Sequence, residues 1–296
     1  MLTSAEIDIR SLHSMDELNE VRTLESKIWG EYDSIPTHQT VTAVKNGGLV
    51  LGAYFEKQLV GFQYSFAGYN GKEIYLCSHV LGTDPRFRNL KIGEKLKLAQ
   101  REEARKLGYK LITWTYDPLE SVNGYLNIGK LGSVCSTYIP DCYGEMEDLL
   151  NNGIPSDRFL VEWYINLNNT RETKGANITF AQAERNSLIR FELHKDGYPI
   201  PKAILPLPMQ ESTNLFVPIP SNFRMIRETN KETAMEWRLK TREVFTNLFR
   251  EGWEVTGFKK TNLSEVPIHF YILSKKDGSP NKNDLQNENY SSNFKT

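Results

Sequence analysis

The chain has 296 residues, with 36 Lys and Arg against 37 Asp and Glu, a length that suits one large domain or two ordinary ones. A formal net charge of -1 gives no overall electrostatic reason to bind nucleic acid. No stretch approaches the roughly 20 apolar residues that span a bilayer, and the first residues lack a basic segment followed by an apolar one. We therefore expect no nucleic-acid partner and no membrane partner.

The three cysteines Cys77, Cys135 and Cys142 are an odd number with no repeated spacing. They predict neither a disulfide framework nor a zinc site. We therefore expect no metal, and a reducing, cytoplasmic compartment fits this cysteine usage best.

The N-terminal part predicts two helices followed by a β-meander. Ser14 and Glu17 have the spacing of a capping box, and apolar residues then recur at helical spacing. After a second helix the period changes to two. Asn70 and Gly71 favour a hairpin with a type I′ turn, in which both central residues have positive φ. The expected strands lie at 49–55, 59–69 and 74–81.

Helices and strands alternate after the meander. A loop over 84–90 leads to a helix over 92–107 that ends at Gly108. Further strands are expected over 110–115 and 157–167, with a helix over 121–130 between them. The predicted buried face of the first of these helices carries Ile92, Leu96, Ala99 and Leu107.

The segment 84–93 joins a strand to a helix and predicts an anion site. The first N–H groups of a helix have no intrahelical partner, and the helix dipole adds partial positive charge. Gly93 removes the Cβ that would keep a phosphate from the backbone, while Lys91 and Lys95 add charge. A diphosphate is a reasonable ligand, although many helix starts carry glycine and lysine without one.

Residues 79–96 run from an apolar strand through Pro85 and Phe87 to Arg88 and then Gly93 at the start of a helix. This order resembles the GNAT superfamily of acyl-CoA-dependent N-acyltransferases, in which Arg or Gln, two residues, Gly, one residue, and Gly or Ala open the helix. Lys91 stands where the family usually has its first glycine. Two further segments, WTYDPLES over 114–121 and PSDRFLVEW over 155–163, resemble an uncharacterised branch of that superfamily.

The resemblance covers roughly residues 5–167 and implies an α/β (α+β) fold, a mixed and mostly antiparallel central sheet flanked by helices. The predicted domains are an acyltransferase domain over 1–167, a linker over 168–177, a C-terminal α/β domain over 178–273 and a disordered tail over 274–296. Segments 95–111 and 238–255 share the order helix, glycine, aromatic residue, strand. A degenerate GNAT-like second half is our hypothesis, and two unrelated helices that end in glycine are about as good an explanation.

The resemblance implies that acyl-CoA lies where the sheet splays, with its diphosphate on the turn and its pantetheine paired with the strand before it. An amine then attacks the thioester directly, and the protein supplies positioning, a base and polarisation of the carbonyl. The residues expected to bind CoA are Leu81, Gly82, Thr83, Arg88, Asn89, Leu90, Lys91, Ile92, Gly93, Glu94, Lys95, Asn123 and Asn127.

His79 is the first candidate for the base, because it lies beside the splay and imidazole titrates near neutrality. A histidine packed in the sheet is an equally good interpretation. Asp117 and Glu162 are alternative bases, and Asp117 before Pro118 also fits an acidic cap for the next turn.

A tyrosine often protonates the leaving thiolate in this family, and the matching position here is Ile128. Tyr116, Tyr138 or Tyr143 are the substitutes within the chain, with solvent as another proton source; of these, Tyr116 and Tyr138 are the predicted catalytic residues.

Arg158 and Glu162 are the predicted substrate-binding residues. A guanidinium near the cleft could hold a carboxylate with two parallel hydrogen bonds, and the competing interpretation is a salt bridge to Asp157 or Glu162.

Three functions follow from these patterns. The first is an N-acyltransferase that moves an acetyl or other short acyl group from acyl-CoA, its co-substrate, to a small-molecule amine. The second is a CoA-binding sensory module with little turnover, suggested by Ile128 and Lys91. The third is acylation of a protein or peptide N-terminus. A monomer and a homodimer are both compatible with the sequence.

Overall fold

The computed structural model describes residues 6–144, 153–165, 177–208, 214–261 and 266–276. The chain divides into two compact units, Met1–Trp114 with Trp163–Asn168 and Thr115–Glu162 with Asn169–Thr296. Two of the three divisions fall inside strands, Leu111–Tyr116 and Arg158–Tyr164, and the third lies outside the described residues. The four predicted domains stay a prediction. The linker over 168–177, apart from its last residue, and most of the tail over 274–296 lie outside the described residues.

The first unit contains a sheet in the order β1-β2-β3-β4-β5, in which β1 to β4 pair antiparallel and β4 pairs parallel with β5. A 3-10 helix, Pro85–Leu90, follows β4. The elements are β1 (Ile7–Ser11), α1 (Met15–Trp29), α2 (Thr37–Lys45), β2 (Leu49–Phe55), β3 (Gln58–Tyr69), β4 (Ile74–Thr83), α3 (Ile92–Lys106) and β5 (Leu111–Tyr116), which belongs to this unit as far as Trp114.

The first helix begins at the predicted capping box. The Ser14 side chain accepts from the Glu17 backbone N–H, while the Glu17 carboxylate accepts from the backbone N–H groups of Ser14 and His13. These backbone donors lower the pKa of Glu17 to about 2. The apolar face of α1 then packs on Phe62 and Tyr64 of β3 as part of one buried cluster.

The hairpin between β3 and β4 is present, but the predicted type I′ turn is wrong. Four residues, 70–73, connect the strands, and only Gly71 among them has positive φ, at 88°. The Asn70 side chain accepts from the backbone N–H groups of Lys72 and Glu73, at 3.0 and 2.9 Å. The asparagine therefore organises the loop through its side chain instead of adopting a left-handed backbone.

The second unit contains strands in the order β7-β6-β11-β12-β10 and a separate β8–β9 hairpin. A π-helix, Tyr125–Lys130, follows α4 directly. The elements are α4 (Ser121–Gly124), β6 (Val134–Ile139), β7 (Arg158–Tyr164), α5 (Phe180–Arg185), β8 (Ile189–Leu193), β9 (Pro199–Ile204), β10 (Leu215–Pro220), α6 (Phe223–Thr229), α7 (Lys231–Arg250), β11 (Trp253–Lys259) and β12 (Ile268–Lys275).

The predicted fold class, mixed strands that are mostly antiparallel and flanked by helices, is confirmed. In the C-terminal part, β10 and β11 both pair antiparallel with β12, so they run parallel to each other with α7 connecting them. In the first unit the parallel strands joined by α3 are direct neighbours. The interposed β12 distinguishes the two arrangements, and a degenerate second half stays a hypothesis.

A buried ion pair connects the end of β5 to α7 in the second unit. Two nitrogens of the Arg238 guanidinium donate to the Asp117 carboxylate at 2.9 and 2.5 Å, and the two side chains are 1% and 9% exposed. Burial opposes the charge of Arg238, but the facing carboxylate outweighs it and raises the pKa of the guanidinium. Asp117 also accepts from the backbone N–H of Leu119, the capping role that its place before Pro118 predicted.

Replacement of Asp117 by Asn should lower the free energy of unfolding by about 3–5 kcal/mol, because it leaves a buried guanidinium without a counter-charge. Urea unfolding measures the change, and Asp8→Asn on the exposed side of β1 is the matched control, expected within about 0.5 kcal/mol of the unmodified protein. A loss of less than about 1 kcal/mol for Asp117→Asn would contradict a dominant role for the pair.

Candidate functional site

The strands β4 and β5 separate after a short parallel contact. Their register contains two pairs, Leu76 with Ile112 and Cys77 with Thr113. From Ser78 to Thr83, β4 continues in register with β3 but has no further partner in β5 within the described chain. Backbone N–H and C=O groups along that edge of β4 are therefore available to an extended ligand, which could pair with it as an added strand.

A β-bulge lies at the start of this open edge. Tyr64 pairs with Val80 and Ser65 pairs with Ser78, so His79 is the extra residue of β4. A bulge redirects a side chain and increases the local twist. The bulge therefore places His79 where the two strands begin to part.

The His79 ring is exposed to solvent on one side and contacts aromatic rings on the other. Its centroid lies 6.0 Å from that of Tyr64 and 5.6 Å from that of Phe66. Loss of hydration in this environment lowers the pKa of His79 below the ordinary value of imidazole. A neutral imidazole at pH 7 can accept a proton, as a general base requires.

The predicted loop after β4 is a 3-10 helix held by Asp84. The Asp84 carboxylate accepts from the backbone and the guanidinium of Arg86, with a 2.6 Å ion pair. Arg86 holds the pKa of that carboxyl below its usual range. Phe87 is buried against Phe55, at 5.7 Å between ring centroids. Arg88 is exposed, and neither a salt bridge nor a side-chain hydrogen bond of Arg88 occurs in the described ranges.

Lys91 separates the 3-10 helix from α3 and has left-handed backbone angles, φ 56° and ψ 29°. Its carbonyl accepts the first helical bond of α3, from the Lys95 N–H at 3.1 Å. Glycine adopts this conformation without a steric cost. Lys91 therefore adopts a backbone conformation that glycine would adopt at lower cost.

Gly93 opens the helix although neither its backbone nor its packing requires a glycine. Its φ is not in the left-handed region, and a Cβ at this position would meet Leu81 Cδ2 at 3.4 Å, an ordinary contact. Glycine costs about 1 kcal/mol relative to alanine inside a helix. Close approach of a ligand to the N-terminus of α3 would account for it.

Lys91→Gly should change the free energy of unfolding by less than about 1 kcal/mol, because relief of the left-handed strain offsets the entropy of glycine in the unfolded chain. Lys91→Val, with a β-branched side chain in the same conformation, should cost about 1–3 kcal/mol. Urea unfolding of both variants measures the difference. A large loss for Lys91→Gly would mean that the lysine side chain makes a stabilising contact.

The buried face of α3 differs from the predicted one. Ile92 and Leu96 are buried as expected, but Ala99 is only partly buried and Leu107 is 51% exposed. The positions that complete the face are Lys97, Gln100 and Ala104. A polar group on a buried helix face is unusual, and the apolar pattern by itself did not indicate it.

These two polar residues belong to a buried cluster, which we call the α3 polar cluster: Gln63, Ser65, Ser78, Lys97 and Gln100. Lys97 Nζ donates to Ser78 Oγ at 2.8 Å, and Gln63 Nε2 lies 2.6 Å from Ser65 Oγ and 3.3 Å from Ser78 Oγ. Gln100 Nε2 donates to Ser65 Oγ at 2.7 Å. The sequence signal for this cluster is the helical spacing of Lys97 and Gln100 on the stripe that contains Leu96 and Ala104.

The predicted catalytic tyrosines lie in the second unit, where both hydroxyls are engaged. Tyr116 Oη lies 3.1 Å from Tyr271 Oη, and Tyr138 Oη donates to Asp157 at 2.6 Å. Burial raises the pKa of both phenols well above the usual value, and the neighbouring Tyr271 and Asp157 raise it further. A structural role accounts for these contacts, and proton donation by Tyr116 or Tyr138 stays a prediction.

The other predicted residues of the second unit are spread between the surface and the interior. Arg158 donates to the backbone carbonyl of Asp157 at 2.9 Å, and its guanidinium lies 5.1 Å from the centroid of the Tyr143 ring. The carboxylate of Asp157 is instead paired with Arg242, at 2.5 Å. The remaining positions are Glu162, partly buried; Asn123, exposed; Asn127, buried; and Ile128, buried.

The described part of the chain contains neither a metal-binding cluster of side chains nor a membrane-spanning helix. Within those ranges, no group of three His, Cys, Asp or Glu side chains is arranged to hold a metal ion. None of the helices there combines the length and apolar character needed to cross a membrane.

Known proteins resemble this chain in structure and not in sequence. No known family and no curated protein matches the sequence. Solved structures that match include acetyltransferases, among them one of the GNAT family from Streptococcus pneumoniae, with 14% identity over 53% of this chain and 98% of that one and a TM-score of 0.43.

Two further matches are similar in extent. A putative acetyltransferase from Salmonella typhimurium, solved with its cofactor acetyl-CoA, has 14% identity over 55% of this chain and 95% of that one, with a TM-score of 0.45. The ribosomal-protein-S18-alanine N-acetyltransferase from Escherichia coli has 14% identity over 59% and 99%, with a TM-score of 0.44. At these identities and TM-scores, the function has to be inferred from the chain's own residues.

Proposed function

We propose that this protein transfers an acetyl or other short acyl group from acyl-CoA to an amine on a small molecule. The observation that carries the proposal is the open edge of β4 from Ser78 to Thr83, which leads from the bulge at His79 to the start of α3. One end of that edge supplies a base, and the other supplies an anion site.

The start of α3 suits the diphosphate of CoA. Three features support this: the first N–H groups of the helix, which lack intrahelical partners, the glycine at position 93, and the exposed positive charges of Arg88 and Lys91. Oxygen atoms of a diphosphate would accept from the backbone and pair with these side chains, as charge-assisted hydrogen bonds.

The length of the open edge suits the pantetheine arm. The strand from Ser78 to Thr83 spans about 17 Å at the usual rise per residue, and the arm of CoA, extended from phosphate to sulfur, is about 16 Å long by ordinary bond lengths. With its diphosphate at the start of α3, a CoA molecule paired with β4 would bring its thioester to the neighbourhood of the bulge.

In this arrangement, different residues of the first unit position the thioester and remove the proton from the acceptor. The backbone of β4 positions the thioester and offers an N–H to its carbonyl oxygen. His79 takes the proton that the acceptor ammonium must lose before its nitrogen attacks. The reaction needs no covalent intermediate on the protein, so a positioned base and a fixed thioester account for catalysis.

Charge reversal at the turn tests the anion site. Arg88→Glu and Lys91→Glu should each weaken CoA binding by about 10- to 100-fold, the effect of losing one charge-assisted hydrogen bond. Calorimetric titration with CoA gives the affinity. Lys106→Glu, at the other end of α3, is the matched control and should bind CoA as the unmodified protein does. Unchanged affinity in both turn variants would place the diphosphate elsewhere.

Removal of the imidazole tests the base. His79→Ala should reduce turnover of acetyl-CoA by about 100-fold or more with little change in CoA affinity, read by thiol release over a panel of amines. In the unmodified protein, activity should rise with pH to a plateau, with the midpoint of the rise below about pH 6.5, because the pKa of His79 is lowered from that value. His13→Ala, an exposed histidine, is the control. Full activity of His79→Ala would exclude His79 as the base.

The same assay distinguishes the other functions. Tight CoA binding without thiol release on any amine or peptide would indicate a CoA-binding sensor. Turnover confined to peptides with a free N-terminus would indicate a protein or peptide acetyltransferase.

A further inference from the structure

Lys97 occupies the point at which β4 and β5 part. The last paired residues are Cys77 and Thr113, so the first unpaired residue is Ser78 in β4 and Trp114 in β5. Lys97 contacts both of these: its Nζ donates to Ser78 Oγ at 2.8 Å and lies 3.5 Å from the centroid of the Trp114 ring. One side chain of α3 therefore bridges the two strands at the vertex of the splay.

This amine is buried to a degree that is rare for lysine. The residue is 4% exposed, and burial lowers its pKa well below the ordinary value of lysine. The Trp114 ring face favours the charged form, and Cys77, the titratable neighbour, would favour it only as a thiolate. Burial raises the pKa of the Cys77 thiol to about 11, so that thiol stays protonated at neutral pH.

A packing role alone explains this arrangement poorly. A methionine would fill a similar volume without the cost of removing an amine from water. The α3 polar cluster is also incompletely satisfied, since Gln63 Oε1 and Gln100 Oε1 are buried without a hydrogen-bond partner in the described part of the chain. Buried polar groups without partners are few in folded proteins and often have a functional reason.

We infer that Lys97, through the hydroxyl of Ser78, donates the proton that the CoA thiolate takes up when it leaves. The inference rests on the proposed function and offers an alternative to Tyr116 and Tyr138, whose hydroxyls already have partners, where the family's tyrosine position is the buried Ile128. The pantetheine arm, paired with β4 from Thr83 toward Ser78, ends its path at this vertex.

The proton transfer balances as follows. The acceptor nitrogen forms a bond to the thioester carbon, and the carbon–sulfur bond breaks with its electron pair on sulfur. Sulfur takes the proton of the Ser78 hydroxyl, while Ser78 Oγ takes a proton from the Lys97 ammonium. The acceptor ammonium loses two protons in becoming an amide. Both of these protons leave through His79 to solvent, and Lys97 regains one proton from solvent, so the net products are the amide, the CoA thiol and one released proton.

The protonation state of Lys97 determines which way the Ser78 hydroxyl can point. An ammonium only donates, so it occupies a lone pair of Ser78 Oγ and leaves the hydroxyl hydrogen for another acceptor; a neutral amine can accept that hydrogen. A lysine at the ordinary pKa of about 10.4 would hold its proton more tightly than a thiolate of pKa about 8.5. The environment that weakens Lys97 as a base therefore makes it the better donor to sulfur.

The first experiment uses CoA itself as the probe and needs no turnover. The thiol of bound CoA is titrated by its thiolate absorbance, with the complex of desulfo-CoA as the blank. In the unmodified protein, the ammonium should lower the pKa of the bound thiol by about one unit or more. In Lys97→Met that lowering should disappear, and Lys106→Met on the exposed end of α3 should retain it.

The second experiment measures turnover of acetyl-CoA. Lys97→Met should lower kcat by about 100-fold or more with little change in the KM for acetyl-CoA. Activity of the unmodified protein should fall at high pH as Lys97 loses its proton, and this fall should be absent in the variant. Ser78→Ala should lose kcat to a similar extent. Thermal unfolding should show Lys97→Met to be at least as stable as the unmodified protein, since an apolar side chain replaces a buried amine.

The outcomes separate the inference from the proposal on which it rests. Failure of the unmodified protein to bind CoA would overturn the proposed function and the inference with it. If CoA binds to both proteins and its thiol titrates alike in the unmodified protein and in Lys97→Met, the role of Lys97 is overturned, and acyl transfer is unaffected.

Discussion

The limited pairing of β4 with β5 is the constraint on which the candidate site depends. Strand backbone inside a sheet normally satisfies its N–H and C=O groups on both sides, and an unpaired edge needs another partner. Here two residue pairs hold the strands together, and six residues of β4 continue beyond them. The bulge in the pairing of β4 with β3 lies where the pairing of β4 with β5 ends, and it redirects the His79 ring at the start of the open edge. Two neighbouring departures from regular pairing, one with β5 and one with β3, thus provide the edge and the imidazole on which the proposed function relies.

The far end of that edge reflects a compromise between backbone geometry and charge. The chain turns from a 3-10 helix into α3 through a left-handed residue, for which glycine is the least strained choice. A lysine at position 91 carries the strain and adds a positive charge next to the first N–H groups of the helix. Gly93, two residues later, has no conformational or packing requirement for glycine. In the proposed function, these positions would exchange a little folding stability for a stronger and more accessible anion site.

Local patterns predicted the elements well, and contacts distant in sequence account for what they missed. The capping box of Ser14 and Glu17 and the helix from Ile92 depend on residues within one turn, so their spacing was sufficient. The bulge at His79 depends on register with β3, and the pairing of Asp117 with Arg238 joins residues 121 positions apart. Asn70 can organise its loop either through a left-handed backbone or through side-chain hydrogen bonds, and the sequence alone does not distinguish the two. The predicted buried face of α3 was wrong in part, because a pattern of apolar residues does not reveal a buried lysine. The partners of Lys97 are Ser78 and Trp114, which lie in two different strands.

Burial of the Lys97 amine costs folding free energy, and a functional role would explain why the residue is nevertheless a lysine. Its amine loses hydration and gains one hydroxyl and one aromatic face, a poorer environment than water or a carboxylate partner would offer. A sequence selected for stability alone would place a methyl or thioether group at such a position. A leaving thiolate changes this balance, because a negative charge at the vertex would stabilise the ammonium that burial destabilises. Under the proposed function, the unsatisfied polar groups of the free protein would let the site bind the charged intermediate more tightly than the resting state, which is the difference that catalysis requires.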